Sequence, residues 1–264
     1  MGNGNRHILI TGASGGIGSA VALALADAQT RLTLVARDPA RLATVAQQVE
    51  AKAASVNVLA ADLSATAHFE PLIAAAIAAQ GPIDVLINCA GVNAFKRLAE
   101  TEPELVGAII ATNILAPMLL SRAVLSQMLE RRRGRIVNIG SVMGGVGFAG
   151  FSAYCASKFA VRGFSEALRR ELDGSGVAVT YVAPRYTRTA LNSAQMDRMA
   201  KAVKMNMDAP EAVARAIVKA INGGKAEHAI GFVERILLRV NALFPRLVDG
   251  ALASLNKRML EHAE

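Results

Sequence analysis

The chain has few of the residues that mark several broad classes of protein. Its 264 residues include no Trp, 3 Tyr, 8 Phe and only 2 Cys. Two cysteines exclude the disulfide framework of a small secreted domain. Charged residues make up 19% of the chain and apolar residues 53%, which excludes a disordered protein because burial of so much apolar surface outweighs the entropy of ordering. We therefore expect a reduced, cytoplasmic protein with a core of small aliphatic side chains.

Long apolar runs are also scarce. Charges or prolines interrupt each stretch before it reaches the roughly 20 residues that span a bilayer, and only six residues precede the first strand-like run, His7–Thr11. We expect neither a membrane span nor a signal peptide. The net charge is +8, and residues 105–204 hold 14 Lys and Arg against 5 Asp and Glu. No aromatic-interleaved basic stripe, recognition helix or zinc-ligand spacing accompanies this excess, so we expect no nucleic-acid partner and no metal.

The order of apolar segments predicts an α/β protein with a doubly wound parallel sheet. Short β-branched runs alternate with Ala- and Leu-rich stretches of helical period, as in βαβ units. The predicted strands are His7–Thr11, Leu32–Ala36, Val56–Ala61, Val85–Asn88, Arg135–Gly140 and Val177–Val182, with a short seventh near Ala229–Gly231. The predicted helices are Gly16–Ala28, Pro39–Ala53, Ala65–Gln80, Glu102–Arg132 with a kink at Pro117, Ser152–Leu172 and Pro210–Ile221. We interpret residues 1–264 as one domain, with a substrate lid over 188–207 and a helical extension over 232–264.

The first turn between strand and helix carries the glycine-rich motif Thr11-Gly-Ala-Ser-Gly-Gly-Ile-Gly18. At such a turn the free N–H groups and the positive end of the helix dipole face any bound anion. Gly12 allows the tight turn, while Gly16 and Gly18 let a pyrophosphate and the sheet approach the backbone closely. The motif predicts a dinucleotide phosphate site. The alternative is a glycine-rich turn that binds nothing.

The end of the second strand indicates which dinucleotide is bound. An acidic residue there would accept hydrogen bonds from an adenosine 2′-hydroxyl and repel a 2′-phosphate. This chain instead has Ala36 followed by Arg37, and a guanidinium clamps a phosphate with two parallel hydrogen bonds. The pattern favours NADP(H) over NAD(H). The alternative is that Asp38 pairs with Arg37 or Arg41 in a solvated ion pair.

A second group of residues combines Ser141 with Tyr154 and Lys158. Tyr154 and Lys158 are four residues apart in a predicted helix, so their side chains lie on one face. A nearby ammonium should lower the tyrosine pKa from its usual value near 10, and a hydroxyl from Ser141 can hold a carbonyl oxygen beside that proton donor. Taken alone, a Tyr-x-x-x-Lys pair more often consists of a half-buried tyrosine and a surface lysine.

These motifs together resemble the short-chain dehydrogenase/reductase family, in its compact single-domain branch. The resemblance covers about residues 6–190 and rests on the order of the glycine-rich turn, Asp62-Leu63, Asn88-Cys-Ala-Gly91, Asn113, Ser141 and Tyr154-x-x-x-Lys158. It implies a Rossmann-like sheet in the order 3-2-1-4-5-6-7 and hydride transfer between a nicotinamide and a carbonyl/alcohol pair. The cofactor supplies the hydride chemistry and the protein supplies position and field.

The resemblance also implies roles for individual residues. Tyr154 is the expected general acid in reduction, Lys158 tunes it and holds the nicotinamide ribose, and Ser141 positions the substrate oxygen. Asn113 is expected to hold a water for proton resupply, and Asp62 to bind the adenine amine. The full set of expected cofactor contacts is Gly12, Ser14, Gly15, Gly16, Ile17, Gly18, Arg37, Asp62, Leu63, Asn88, Ala90, Gly91, Tyr154, Lys158, Pro184, Thr187 and Thr189.

Two segments depart from the family pattern. Cys89 stands where the family usually has Asn. The segment Pro184-Arg-Tyr-Thr-Arg-Thr189 has Arg185 in place of the usual Gly and Thr187 in place of an aliphatic residue. These changes put the geometry around the nicotinamide in question.

The substrate is expected over the carboxyl ends of the strands, between the loop that follows Ser141 and the segment 188–207. The candidate wall residues are Val142, Met143, Phe148, Leu191, Met196 and Met199. Methionine-rich walls adapt to irregular apolar ligands, which favours a long or bulky hydrophobic ketone. The alternative is that these side chains make ordinary core contacts.

Two basic regions bear on possible partners. Arg131-Arg-Arg-Gly-Arg135 ends one predicted helix, and Arg169 and Arg170 lie late in another. Relatives dimerise through these two helices, so a homodimer or homotetramer is expected, and an acyl carrier protein or CoA could meet the arginines at the mouth of the site. The alternative is a solvated basic helix end. Residues 232–264 read as two helical stretches broken at Pro245 and hold 5 basic and 4 acidic residues. Peripheral membrane contact is possible but not favoured, and packing over the substrate pocket or across a subunit interface is the favoured interpretation.

The sequence thus predicts an NADP(H)-dependent reductase, with a 3-oxoacyl thioester as the first candidate substrate and a steroid- or lipid-like ketone as the second. An alternative of another class is a catalytically silent dinucleotide sensor or scaffold. The complete set of Asn113, Ser141, Tyr154 and Lys158 argues against it, because a silent protein need not keep all four.

Overall fold

The computed structural model describes residues 5–65 and 69–263. The predicted elements that fall on 1–4, 66–68 and 264 lie outside the described residues. Seven strands form one sheet in the order β3-β2-β1-β4-β5-β6-β7, and every neighbouring pair is parallel. The strands are β1 Arg6–Thr11, β2 Thr30–Ala36, β3 Ser55–Ala60, β4 Val85–Asn88, β5 Gly134–Ile139, β6 Val177–Ala183 and β7 Glu227–Ala229. The predicted doubly wound, Rossmann-like sheet and its strand order are confirmed.

Ten α-helices connect and flank these strands in the described part of the chain. They are α1 Gly16–Leu25, α2 Pro39–Glu50, α3 Phe69–Gln80, α4 Pro103–Ile110, α5 Ala116–Glu130, α6 Ser152–Glu171, α7 Ala194–Ala202, α8 Pro210–Asn222, α9 Phe232–Leu243 and α10 Pro245–Leu260. The first helix ends three residues before the predicted Ala28, because the carboxylate of Asp27 accepts hydrogen bonds from Gln29 and Thr30 and forms a turn instead. Such local bonds compete with helix formation.

The helices form a layer on each face of the sheet. Side chains of α1, α2 and α8 pack against one face, and side chains of α3, α5 and α6 pack against the other. Both faces of the central strands are therefore buried, and five of the six residues of β1 and six of the seven residues of β2 are buried rather than every second one. The carboxyl ends of all seven strands meet at one edge of the sheet, where this architecture places its binding crevice.

A single π-helical turn, Ala111–Leu115, joins α4 to α5. This π-helical turn lies directly before the kink that was predicted at Pro117. Pro117 falls in the first turn of α5, where the backbone N–H that proline lacks would have no partner within the helix. The combined helix Pro103–Glu130 is consequently long and apolar enough to span a membrane by length and composition, with a mean hydropathy of 1.7 over an 18-residue window. Our expectation that no stretch would reach this length is therefore wrong. The helix packs on the sheet through buried Leu120, Val124 and Met128.

The last two helices, α9 and α10, cover the edge of the sheet beyond β6 and β7. The break predicted at Pro245 is present, since α10 begins at that residue. Leu238 of α9 and Val248 of α10 join a buried cluster with Val142 and Tyr181. The far end of α10 places Met259 in another cluster that contains Phe151. The extension thus packs over the end of the sheet where the strands terminate.

Candidate active site

The glycine-rich turn has the close contacts that its sequence predicts. Gly12 has a φ of +66°, and a Cβ there would lie 2.7 Å from the Cα of Ala90. A Cβ on Gly18 would overlap the carbonyl oxygen of Gly12, and one on Gly16 would lie 2.7 Å from Cγ2 of Thr189. Larger residues would push these segments apart. The turn is therefore a cradle that only glycine allows, directly before the N-terminus of α1.

A cavity of about 270 Å³ opens above this turn. Twelve of the expected cofactor contacts line it, namely Gly12, Ser14, Gly15, Gly16, Ile17, Gly18, Arg37, Asp62, Leu63, Ala90, Gly91 and Thr189. These residues come from the ends of β1 to β4 and from the segment after β6, so the fold brings together positions up to 177 residues apart in sequence. We call this space the coenzyme cavity.

Two arginines stand at the end of the coenzyme cavity near β2. Arg37 is exposed and lines the cavity, and Arg41 lines it as well while donating a hydrogen bond to the carbonyl of Ser14 over 3.2 Å. Asp38 caps α2 by accepting from the amides of Ala40 and Arg41. Among the described residues no ion pair joins Asp38 to either arginine, so both guanidinium groups stay available to an anion. Arg41 was not among the predicted cofactor contacts, although its place three residues after the helix cap points it back toward the glycine-rich turn.

Asp62 and Asn88 differ in how they meet the expectation of a cofactor contact. Asp62 lines the coenzyme cavity, and hydrogen bonds from the amide and hydroxyl of Ser64 lower the pKa of its carboxyl. Asn88 points the other way. Its side chain is buried in the sheet and donates to Asn138 of the neighbouring strand over 2.8 Å. Asn88 does not line the coenzyme cavity, and its expected contact with the cofactor stays a prediction.

The loop that follows β4 is held by its backbone. The hydroxyl of Thr11 accepts hydrogen bonds from the amides of Cys89 and Ala90. Burial raises the pKa of the Cys89 thiol to about 12, so this thiol remains protonated. The replacement of the usual Asn by Cys89 leaves the loop in place because its anchoring bonds do not use that side chain. Cys155 packs in a buried apolar cluster, as expected for a packing residue.

A second cavity of about 260 Å³ lies beyond the segment after β6. It shares Ile17, Thr189 and Leu191 with the coenzyme cavity, so the two spaces meet at these side chains. We call it the substrate cavity. The remaining residues that line it are Asn93, Gly140, Ser141, Val142, Met143, Phe148, Phe151, Tyr154, Pro184, Arg185, Tyr186, Thr187, Asn192, Met205, Asn206, Glu234, Leu237, Leu252 and Leu255.

Ser141 and Tyr154 face the substrate cavity together. Ser141 follows β5, and its Oγ accepts from the amide of Met143 while its own amide donates to the hydroxyl of Tyr181. Lys158 lies behind this wall, one helical turn after Tyr154, with its Nζ 5.6 Å from the centre of the tyrosine ring. The ammonium donates to the carbonyl of Ile139 over 3.1 Å and is only 5% exposed. A Cβ on Gly91 would lie 3.9 Å from it, so Lys158 sits under the floor of the coenzyme cavity.

The protonation states of this pair differ from the expectation. Burial raises the pKa of the Tyr154 phenol, although a hydrogen bond with Ser141 partly opposes the rise. Burial lowers the pKa of Lys158 to about 8. The predicted lowering of the tyrosine pKa by the lysine is therefore wrong for the protein without coenzyme, because removal of water from a phenolate outweighs a charge held at this distance. Tyr154 retains its proton at neutral pH.

Asn113 is buried in the π-helical turn and lines neither cavity. Its Oδ1 accepts from the amide of Val92 over 2.7 Å, and its Nδ2 donates to the carbonyl of Val92 and to Oγ of Ser157. Both amide hydrogens are thereby used. The observed bonds tie the loop after β4 to α6, which carries Tyr154. The structure thus places Asn113 as a link between the loop after β4 and α6, and the expected water site on this residue stays a prediction.

Arg185, which replaces the usual Gly, forms ion pairs at the wall of the substrate cavity. Its Nε and Nη2 donate to the two carboxylate oxygens of Asp208 at 2.8 Å each, and its Nη1 lies 3.3 Å from Glu234 of α9. Thr187 pairs with Asp208 in an isolated bridge, and Asn192 donates to the carbonyl of Thr187. Pro184 and Thr187 therefore face the substrate cavity rather than the coenzyme cavity. The charged replacement is compensated by partners from later in the chain.

The predicted substrate residues divide into two sets. Val142, Met143, Phe148 and Leu191 line the substrate cavity. Met196 and Met199 do not; they are 2% and 0% exposed and pack with Phe95, Phe151 and Met259 in a closed cluster beneath α7. Their assignment to the cavity wall is not supported, because the amphipathic α7 turns its methionines toward the core. The wall also includes Leu237, Leu252 and Leu255 of the C-terminal extension, which were not among the predicted wall residues, although packing of this extension over the pocket was one of the two favoured interpretations.

Among residues 5–65 and 69–263, no cluster of three or more His, Cys, Asp or Glu side chains could hold a metal ion. The two adjoining cavities, the glycine cradle and the Ser141–Tyr154–Lys158 arrangement define the class of protein: a Rossmann-type oxidoreductase that acts on carbonyl and alcohol groups.

Comparison with known proteins places the chain within this class. The family model described as short chain dehydrogenase matches residues 6–201. The chain belongs to the short-chain dehydrogenase family, as the sequence motifs indicated.

Similar proteins include reductases of acyl and lipid ketones. The "Ketoacyl reductase HetN" of a Nostoc species is 35% identical over 252 residues, which cover 92% of this chain and 87% of that protein. The "3-ketodihydrosphingosine reductase" of Bos taurus is 32% identical over 85% of this chain and 71% of that protein. Among solved structures, a short-chain dehydrogenase from Sphingobium yanoikuyae in complex with NADPH superposes with a TM-score of 0.79, at 30% identity, over 95% of this chain and 94% of that one.

Proposed function

We propose that this protein is an NADP(H)-dependent reductase of a hydrophobic ketone. The observation that carries the proposal is the meeting of the two cavities at Ile17, Thr189 and Leu191, with the hydroxyls of Ser141 and Tyr154 on the substrate side. A coenzyme laid across the glycine cradle would reach this junction with its nicotinamide end. A carbonyl in the substrate cavity would then lie between a hydride source and a proton source.

The residues of the coenzyme cavity fit NADP(H) in charge and in shape. The cradle formed by Gly12, Gly16 and Gly18 excludes side chains from the place of the pyrophosphate. Arg37 and Arg41 provide two guanidinium groups at the opposite end, where a 2′-phosphate would lie. When bound, the coenzyme supplies the hydride. The Sphingobium relative holds NADPH, which supports the same choice here.

Tyr154 is the proposed proton donor to the ketone oxygen. Its phenol keeps its proton at neutral pH because burial raises its pKa, so it can donate a hydrogen bond to a carbonyl oxygen and transfer the proton as negative charge develops there. Ser141 donates a second hydrogen bond to the same oxygen and orients it. Lys158, buried behind the ring, favours the tyrosinate left after transfer whenever the lysine is protonated.

The substrate class follows from the wall of the substrate cavity. Its lining is mostly apolar and includes Met143, Phe148, Leu237, Leu252 and Leu255, which suits an alkyl chain or ring system. We propose a 3-oxoacyl thioester first and a steroid- or lipid-like ketone second. The named activities of the Nostoc and bovine relatives support an acyl or lipid ketone. The segment 188–207 would act as the lid, since Leu191 borders both cavities.

The quaternary structure and the form of the acyl donor are further parts of the proposal. Exposed Leu115, Leu129 and Phe159 lie on or beside α5 and α6, which supports a homodimer or homotetramer built on these helices. In one protomer the arginines that follow α5, in residues 131–135, lie at the opposite end of the sheet from the two cavities. There Arg131 and Arg133 pair with Asp84. A carrier-bound donor would therefore need the partner protomer to bring these arginines to the site.

A Tyr154→Phe variant tests the proposed function. We expect kcat to fall by roughly 10²- to 10⁴-fold, the usual contribution of a positioned acid, while NADPH still binds and the variant stays folded. Tyr186→Phe is the matched control, because it removes a hydroxyl from the same cavity that is bonded to Asp197; its kcat should change far less. Coenzyme oxidation should be screened with a 3-oxoacyl-CoA, the same acyl group on a carrier protein, and a steroid ketone.

Retained turnover by Tyr154→Phe would refute the assignment of the proton donor. Absence of turnover with every ketone by a wild-type protein that binds NADPH would favour a dinucleotide sensor over a reductase.

A further inference from the structure

Helix α9 and the turn that joins it to α10 expose a set of large apolar side chains. Five of them are 61% to 72% exposed, namely Phe232, Val233, Leu243, Phe244 and Leu247, and Ile236 is 46% exposed. Phe232, Ile236 and Leu243 fall on one stripe of α9, because they recur at spacings of four and seven residues. Phe244 and Leu247 continue the stripe around the turn into α10. We call this set the apolar corner.

Exposure of this degree concentrated in one place marks an interaction site. The rest of the fold does not cover the apolar corner, whereas the opposite faces of the same helices are buried through Leu238 and Val248. Folding of the chain alone therefore leaves these outward-facing apolar side chains exposed. Their burial requires a partner.

The charges beside the apolar corner identify the kind of partner. Arg235, Arg239 and Arg246 are all exposed and lie next to it, and the guanidinium of Arg235 stacks 5.7 Å from the ring centre of Phe232. Glu234 would offset one of these charges if only the sequence were counted. In the structure, however, Glu234 turns inward and pairs with Arg185. The outer surface is consequently more basic than the nearly balanced composition of residues 232–264 suggests, with Asp249 as the exposed acid nearby.

A second copy of the chain fits this surface poorly. A two-fold contact buries the same patch of both copies, so six arginines would enter one interface. An anionic surface has the complementary charge. The apolar side chains of this set are 46% to 72% exposed, and lipid chains fill the space around exposed side chains, whereas a protein partner must supply a recess of matching shape.

The apolar corner adjoins the substrate cavity. Leu237 of α9 and Leu252 and Leu255 of α10 line that cavity from the inner faces of the two helices. The same helical pair therefore has one face toward the substrate cavity and one face toward the exterior. A hydrophobic molecule released from a lipid surface at this corner would reach the cavity by passing along or between two helices.

We propose that the α9–α10 corner docks this protein on an anionic membrane surface, with Phe232, Leu243, Phe244 and Leu247 inserted at the level of the headgroups and with the adjacent arginines on anionic lipid phosphates or carboxylates. The docking is peripheral and reversible. It does not require the proposed reductase activity, but it would explain how a long-chain ketone reaches a cavity that opens beside these helices.

Sedimentation with phospholipid vesicles tests the proposal independently of catalysis. Wild-type protein should cosediment with vesicles of phosphatidylcholine containing 30 mol% phosphatidylserine, chosen as roughly the anionic content at which surface potential attracts basic groups, and much less with phosphatidylcholine alone. The triple variant Leu243→Ser, Phe244→Ser, Leu247→Ser should lose binding. The triple variant Arg235→Gln, Arg239→Gln, Arg246→Gln should weaken it by roughly tenfold or more, given the usual contribution of each basic residue near such a surface.

Two matched controls separate docking from a general change in solubility. Leu98→Ser removes a leucine that is 61% exposed outside the apolar corner, and Arg215→Gln, Lys219→Gln, Lys225→Gln removes three basic charges from the α8 region. Both should bind vesicles like the wild type. Each variant is checked for folding by its unfolding temperature.

Failure of the wild type to bind anionic vesicles overturns the proposal. So does equal loss in the control and corner variants. Concentration-dependent dimerisation that the serine variant abolishes, without vesicle binding, would assign the corner to a second copy instead. Because none of these measurements uses turnover, loss of the docking proposal and loss of the proposed function are distinguishable.

Discussion

A Met199→Ala substitution distinguishes a core residue from a wall of the substrate cavity. The sequence pattern favoured the wall, but the structure buries Met199 completely among Phe95, Phe151 and Met259. Truncation of a fully buried methionine removes transfer free energy and leaves a cavity, at a cost on the order of 3 kcal/mol. For a chain of this size each kcal/mol lowers Tm by roughly 2–4 °C, so we expect a loss of about 6–12 °C.

The matched comparison is Leu191→Ala. Leu191 is 46% exposed and borders both cavities, so its truncation leaves no closed void and should change Tm by less than about 2 °C. It removes apolar contact with the substrate, which should raise KM by roughly tenfold, since one well-packed apolar group contributes about 1–3 kcal/mol. Differential scanning calorimetry and steady-state kinetics on the two variants give both quantities.

The reasoning predicts a crossed pattern: stability falls in Met199→Ala with little change in KM, and KM rises in Leu191→Ala with little change in stability. A Met199→Ala protein that melts like the wild type but has a raised KM would falsify the placement of this residue in the core. It would show that α7 turns its methionines into the substrate cavity, as the sequence pattern suggested.

The remaining predictions concern the coenzyme and the pH dependence. Arg37→Ala and Arg41→Ala should each raise the KM for NADPH by about tenfold or more, the value of a charged hydrogen bond, while the KM for NADH stays nearly constant; equal losses for both coenzymes would contradict the 2′-phosphate role. Burial lowers the pKa of Lys158 to about 8, against about 10.4 in an unfolded chain. Between these values the unfolded state binds more protons, so stability rises with pH. The gain in Tm from Lys158→Met, measured without coenzyme, should therefore be largest below pH 8 and shrink toward pH 10; a gain independent of pH would show that the lysine is not held in a desolvated state.

The sequence predicted the sheet, its order and most of the coenzyme cavity. These features depend on short stretches of chain: alternating strand and helix periods, a glycine cradle between β1 and α1, and the four-residue spacing of Tyr154 and Lys158. The resemblance to a known family added the order of the strands. The ends of elements were less accurate, as at β7, which begins two residues before its predicted position.

Other features required the tertiary structure, since they depend on residues that are far apart in sequence. The pairing of Arg185 with Asp208 and Glu234 spans 23 and 49 residues. This pairing compensates the charge of Arg185 at the wall of the substrate cavity and turns the carboxylate of Glu234 away from the surface. The charge count of the C-terminal extension cannot show either effect.

By itself, then, the sequence indicated the fold and the residues of the candidate site, because backbone geometry at a βα turn and the spacing of side chains on one helix are local properties. The pKa shifts of Tyr154 and Lys158 required the tertiary structure, because they follow from burial. Only the tertiary structure decided that Met196 and Met199 belong to the core, that Leu252 and Leu255 form the wall of the substrate cavity, and that the apolar corner faces outward. The physical reason is that an amphipathic helix specifies an apolar face, whereas what that face meets depends on how distant segments pack.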